Sequence, residues 1–575
     1  MSSAPSPSAS PPAPRLPLAG VLRVGRPSDI WFKPALSVVA AIAPPNLTLL
    51  ALGRLDLAMY AMAGSLCALY THNRPYAARA GALAWVVLGM LGGLAVALVT
   101  ASLTGSAVVL VGVGALLAAA QKVLCDATRT GPPGNVVLTF VSSAALFAPQ
   151  SLDQVPGHLA LAAATGAWAW LVCMAPALVR PHGPERRATA AALKAAAAYA
   201  DTGGKGGTGG ASGTGGASGT GGLGGSGEGH APARAAGYAA VHAAWQSLLA
   251  TGVRSRTRHA LERLVVRAEV ALAAPAQADA EQLRAWARAL RGTGPVPQAC
   301  LPPAAADELL GVRAAPPLWT RLGPLTPLAA RTALGCALAG YASLALGIGR
   351  PYWALVTAAS LYQANIALTW SRAVQRVVGN LVGVLVFAAV APLAHLGQAA
   401  LVLCCLAFSF GAELLISRNY WLGSVCVTPM ALLITEFAGY RATGELMTER
   451  VADTVVGALV GFAAAVAVTN RRAGDRVERA LTAADRAREH AARLLTEPDP
   501  RPAALEAARR DLAVALADLR ATADAAAGEW WQRALPQERV VLAEQSGHRT
   551  LAATARRQGL LPDQDTATET EDARP

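Results

Sequence analysis

Apolar residues gather along this chain into about twelve long stretches nearly free of charge, and the stretches fall into two sets of six. The first set occupies 34–52, 57–70, 80–102, 107–124, 136–149 and 159–179. The second occupies 325–346, 352–368, 373–391, 398–416, 420–435 and 451–468. A helix rises ~1.5 Å per residue, so ~20 apolar residues cover the ~30 Å of a bilayer core. The pattern predicts an all-α polytopic membrane protein of about twelve transmembrane helices in two six-helix repeats. Proline lacks a backbone donor, so Pro44-Pro45 is expected to interrupt the first run and Thr428-Pro429 the eleventh.

The pattern changes between and after these sets. Residues 188–320 and 471–575 are rich in Ala, Arg and Glu, with helical periodicity over 188–200, 233–272, 475–495 and 503–528. They predict helical cytoplasmic regions, the second packed against the first. The Gly/Ser/Thr tract 202–229 reads as a flexible linker. The expected organisation is a disordered tail over 1–30, a first membrane half over 31–180, and a cytoplasmic helical region over 181–320. A second membrane half follows over 321–470, and a C-terminal cytoplasmic helical region over 471–575.

Composition sharpens this. Of 575 residues 53% are hydrophobic and 15% charged, with a net charge of +13. The arginines concentrate in alternate loops, which by the positive-inside rule predicts an inner (plasma) membrane protein with both termini cytoplasmic. The excess positive charge then faces lipid. Nucleic acid is not an expected partner, because no basic stretch is interleaved with aromatics. The eight cysteines form no CxxC pair, which argues against a disulfide framework or a zinc site. There is no P-loop, HExxH, nucleophile elbow or dinucleotide fingerprint. Neither an enzyme activity nor a cofactor is expected.

Candidate chemistry lies mainly in 349–390, where polar residues interrupt what a plain lipid anchor would keep apolar. Arg350 attracts an anion or anchors the interface beside Tyr352 and Trp353. Arg372 and Arg376 read as a short basic turn over 371–376 between the eighth and ninth spans, which sets topology or collects a carboxylate. Gln363, Asn365 and Asn380 line a pathway or bond across helices. Gly379 and Gly383, four apart, let helices approach closely. In the eleventh span, Thr428 beside Pro429 exposes backbone to a ligand if the helix breaks there. Glu413, inside the tenth span, is the candidate proton-coupling carboxylate, against the alternative of an ion pair with Arg418.

The sequence Arg350-Pro351-Tyr352-Trp353-Ala354, followed by Arg372, Arg376, Gly379 and Gly383, resembles the fusaric acid resistance-like (FUSC) or aromatic acid exporter family. So do Tyr420-Trp421 and the later Val427-Thr428-Pro429. Two positions depart from the family pattern: Asn380, where a small residue or threonine is usual, and the single Arg372 in place of paired basic residues. The resemblance implies twelve spans, two cytoplasmic regions and efflux of aromatic carboxylic acids in some members. A distant relative, the aluminium-activated malate transporter group, conducts organic anions as channels. Three readings stay open: proton-coupled export of small organic anions, a passive organic-anion channel, and a membrane scaffold whose cytoplasmic helices bind a partner. The expected partners are a small organic anion and membrane lipid, with homo-oligomerisation left open.

Overall fold

Runs of Ala, Leu and Val satisfy their backbone groups only as helices when water is excluded, and helices are what form. The computed structural model describes residues 18, 20–25, 32–207, 230–250, 255–298, 322–363, 365–437, 439, 442–468, 473–527 and 536–558. The first membrane half is built from α1 (Phe32–Ala51), α2 (Ala58–Ser65, flanked by single 3-10 turns), α3 (Tyr76–Leu103), α4 (Ala107–Ala127), α5 (Val136–Leu146) and α6 (Val155–Met174). Helices α7 (Gly183–Gly207), α8 (His230–Leu249), α9 (Arg256–Ala273) and α10 (Ala280–Arg291) follow outside the membrane set. The second half is α11 (Thr326–Ala345), α12 (Pro351–Leu361), α13 (Ile366–Ala394), α14 (Gln398–Ile416), α15 (Tyr420–Thr435) and α16 (Thr443–Ala467). Three more helices, α17 (Ala473–Thr496), α18 (Pro502–Ala527) and α19 (Gln537–Arg557), complete the described chain. The protein is thus an all-α polytopic membrane protein.

The two sets of six apolar elements are present, but they are not equal. Eight helices are long and apolar enough to cross a bilayer. The other four are short and occupy the second and fifth places of each half: α2, α5, α12 and α15. At 11 residues, α12 is only ~16 Å long. Every one of its residues is buried, as is every residue of α2 except Met59. The long helices form the outside, presenting Trp85, Val96, Leu385, Leu403 and Leu459 outward. Layout long-short-long-long-short-long, repeated, is the clearest trace of duplication in the fold.

Several expected breaks are absent. Helix α1 runs through Pro44-Pro45, whose missing amides free the carbonyls of Ala40 and Ala41, and Trp168 Nε1 of α6 donates to Ala40 O at 3.0 Å. Helix α15 runs through Thr428-Pro429 in the same way. The expected basic turn over 371–376 lies inside α13, and the helical break falls instead between Leu361, the end of α12, and Ile366, the start of α13. Asn365 caps α13 by accepting from the Leu368 amide at 2.8 Å. Helix α16 starts eight residues before the expected span at 451, which brings Glu449 and Arg450 into the membrane set and puts Asp453 well inside the helix.

The halves interlock. Helix α4 packs on α11, where Gly340 admits Val111 and the Tyr341 hydroxyl donates to Val108 O at 3.2 Å. Helix α1 shares a core with α14 through Val38, Ile42, Leu401, Val402 and Cys405. Phe140 of α5 meets Trp353 of α12.

Helices α7–α10 and α17–α19 form one extramembrane module, as the sequence suggested. Arg509 of α18, buried, is held by Glu506 of its own helix and Glu269 of α9, and Trp245 Nε1 of α8 donates to Glu269 at 2.7 Å. Arg186 donates to three carbonyls at the end of α10: Ala289, Leu290 and Gly294. Helix α19 is an element the sequence reading lacked. Residues 208–229 of the expected linker, 1–17 of the expected tail and 559–575 lie outside the described residues. Residues 20–25, read as tail, are fixed against the second half. Gln375 Nε2 donates to Val21 O at 2.9 Å, Trp421 Nε1 to Leu22 O at 3.1 Å, and Asn419 Nδ2 to Val21 O and Arg23 O.

Candidate functional site

Unusually short helices at matching places in two membrane repeats are where transporter-like folds build their sites. Here they enclose a cavity of about 80 Å³ between the halves. Its wall is mostly apolar: Val38, Leu66, Leu69, Phe140, Trp353, Val356 and Met430 among others. Three charged side chains also line it: Arg376 of α13, Glu413 of α14 and Arg450 of α16.

The aromatic wall comes from both halves. Trp353 stacks on Phe140 with centroids 5.4 Å apart and touches Tyr352 at 4.9 Å, and Tyr352 meets Phe147 at 5.7 Å. The Arg450 guanidinium lies over the Trp353 ring, 3.9 Å from its centroid. Arg450 is 1% exposed, and its Nε and Nη1 have no acceptor. Arg376 donates from Nη1 to the Tyr420 hydroxyl at 3.2 Å, while its Nε is buried and unpartnered. Glu413 has no hydrogen-bond or ion-pair partner among the described residues, so the alternative pairing with Arg418 does not form. An unpaired buried polar group costs ~1–3 kcal/mol, and more when charged. Two guanidiniums with open donors on one apolar cavity therefore form a high-energy arrangement that an anion would relieve.

The corresponding cation of the first half shows the contrast. Arg79, at the start of α3 as Arg376 is early in α13, donates to the carbonyls of Thr71, His72, Arg74 and Cys173. Saturated by backbone, it ties a loop. The first half's buried Gln121 is likewise satisfied, by Ser142 and Thr139. The open charge belongs to the second half.

The other residues singled out in the sequence sit around the cavity rather than on it. Arg350 caps the start of α12 and pairs with Glu449, Nε to Oε2 at 3.2 Å. Arg372 lies over the Tyr420 ring at 3.9 Å, so one tyrosine holds both basic residues of α13. Gln363 donates to its neighbour's carbonyl, Tyr362 O, at the α12–α13 break. Asn380 donates to Thr454 Oγ1 at 2.9 Å and accepts from Thr428, bonding three helices together. Gly379 and Gly383 are packing positions against α15, since a Cβ on Gly379 would lie 2.6 Å from Trp421 O. Sequence reading missed Arg450, Trp353 and Phe140 as site residues. The one signal for Arg450 was the helical spacing of Leu446, Arg450, Asp453 and Gly457, which places its charge on the face of α16 that is buried.

Residues 337–464, from α11 to α16, match the family model described as fusaric acid resistance protein-like. The uncharacterized membrane protein YvaC of Bacillus subtilis (strain 168) is 34% identical over 122 residues. That stretch is 21% of this chain and 19% of YvaC, so the match covers a minor part of each. No solved structure matches the chain. The second membrane half, which supplies both open guanidiniums of the cavity, is thus the part that matches the fusaric acid resistance protein-like family model.

Proposed function

We propose that this protein exports small organic anions, aromatic carboxylates foremost, and that the cavity between its halves is the anion site. The observation that carries the reading is the pair Arg376 and Arg450, whose buried donors lack acceptors beside a wall of stacked rings. A carboxylate would supply the acceptors through charge-assisted hydrogen bonds, and an aromatic ring would lie against Trp353 and Phe140. Glu413 on the same cavity links binding to its own proton, because the ionised carboxylate competes with the substrate for the arginines. That linkage is the physical basis for coupling flux to a pH gradient. The module, into which α6 and α16 lead with their trailing arginines, faces the cytoplasm of an inner-membrane protein in this reading.

The test is uptake of a panel of aromatic acids into proteoliposomes, with and without a pH gradient. Saturable flux that responds to the gradient, and a Glu413→Gln variant that no longer responds, is the expected result. Flux indifferent to the gradient assigns a passive anion channel. No flux of any anion removes the transport reading.

A further inference from the structure

We infer that the Arg350–Glu449 ion pair is a latch closing the cavity on the side away from the extramembrane module, opened when a carboxylate replaces Glu449 on Arg350. The inference rests on the anion-site reading above and adds where that site opens.

The cavity must open somewhere. Its volume of about 80 Å³ is below the ~150 Å³ that holds benzene in an engineered apolar cavity, so an aromatic acid does not fit without movement of the walls. Helix α11 leads away from the module, and α12 starts beyond its far end, so Arg350 marks the side opposite the module. Arg350 precedes Trp353 by one turn, and Glu449 precedes Arg450 by one residue. The ion pair therefore lies next to the Trp353–Arg450 contact that walls the cavity. A carboxylate moving outward from Arg450 meets Arg350 next.

The pair is built to exchange. Its side chains are 12% and 17% exposed, so it is shielded without being sealed. Arg350 Nη1 is buried without an acceptor, leaving donor capacity that Glu449 does not fill. Asp453, buried one turn along α16 from Glu449, lies on the same face. It accepts from Ser343 Oγ at 2.6 Å and leaves its other oxygen unpaired. Gly349 lies under the pair: a Cβ there would overlap Glu449 Oε1, so a side chain at this position pushes the carboxylate aside. Breaking the pair frees the turn of α16 that carries Arg450, which ties latch and site together.

Cysteine labelling tests the latch without any substrate. Ser409 lines the cavity. In a Ser409→Cys parent, reaction with a membrane-impermeant maleimide is followed by peptide mass in vesicles of each sidedness. E449Q and R350Q are each expected to raise labelling from the side away from the module about tenfold, the factor for an ion pair worth ~1.4 kcal/mol. The exchanged pair R350E/E449R is expected to bring the rate back to within about twofold of the parent. G349A keeps both charges and is expected to raise labelling, which serves where the exchanged pair does not fold. Parental labelling rates in E449Q and R350Q overturn the latch, as does an exchanged pair as open as the single variants. Absence of anion flux in the unmodified protein would instead overturn the anion site and leave the labelling result standing.

Discussion

Replacing Arg450 with methionine should weaken anion binding and leave the empty protein at least as stable, two effects of opposite sign. Methionine keeps most of the side-chain volume and removes the charge. An arginine costs up to about 2.5–3.5 kcal/mol at the centre of a membrane helix and less towards an end, as at Arg450 in the first third of α16, and the face contact with Trp353 returns up to ~2 kcal/mol. Arg450 recovers nothing further through its Nε and Nη1, which have no acceptors. The empty R450M protein should therefore gain up to ~2 kcal/mol. A hydrogen bond from a charged donor to a carboxylate is worth about 1.5–3 kcal/mol, so affinity should fall about 10- to 150-fold. Thermal unfolding of purified protein with titrated 4-hydroxybenzoate reads both quantities. At a ligand concentration of 100 Kd the parent gains ~2.7 kcal/mol, whereas a variant bound 100-fold more weakly gains only ~0.4 kcal/mol. The reasoning is refuted if empty R450M loses about 3–5 kcal/mol, the cost of breaking a structural pair, while the ligand shift is unchanged. Arg450 would then be a packing residue.

Three further outcomes follow from the packing. Arg509→Ala leaves Glu269 and Glu506 buried without their cation and should cost the module about 3–5 kcal/mol, read as faster hydrogen exchange in α9 and α18; unchanged protection would contradict the bridge. Burial against Tyr238 lowers the pKa of His548 to about 4, so it is neutral when folded while the unfolded chain takes up its proton near pH 6.5. Module stability, full above pH ~6.5, should then decline by up to ~3 kcal/mol as pH falls towards 4, and His548→Phe should flatten that slope in urea titrations. A Cβ on Gly379 would lie 2.5 Å from Ser424 Cβ, whereas one on Gly89 meets nothing within 4 Å. Gly379→Val should abolish the monodisperse peak in fluorescence-detected size exclusion, and Gly89→Val should leave it intact.

Much of the architecture was legible because membrane helices report themselves through uninterrupted apolar length. The twelve stretches and the two sets came from that signal, and the helical extramembrane regions from the helical periodicity of their Ala, Arg and Glu residues. Helix ends did not. A hydropathy reading stops at the first charges, but backbone hydrogen bonding does not, so α16 begins at Thr443 and α13 at Ile366. Those few residues changed Arg376 from a loop charge into a cavity wall and brought Arg450 into the membrane set. Prolines misled for a related reason: in a packed bundle a neighbouring helix takes up the freed carbonyl, as the Trp168 indole does for Ala40.

By itself the sequence determined an all-α membrane protein, a duplicated layout and the family of its second half, because composition, period and motif spacing are local properties. It also placed Glu413 and Arg376 among the candidates. Only the tertiary structure decided which charges are satisfied. Arg79 and Arg376 occupy similar places in the two halves, yet one is saturated by loop carbonyls and the other opens on a cavity. That difference depends on which acceptors the neighbouring chain brings within hydrogen-bond reach. The same holds for Arg450, Trp353 and Phe140, which are 310 residues apart at the extremes and become one site only when the short helices of both halves meet.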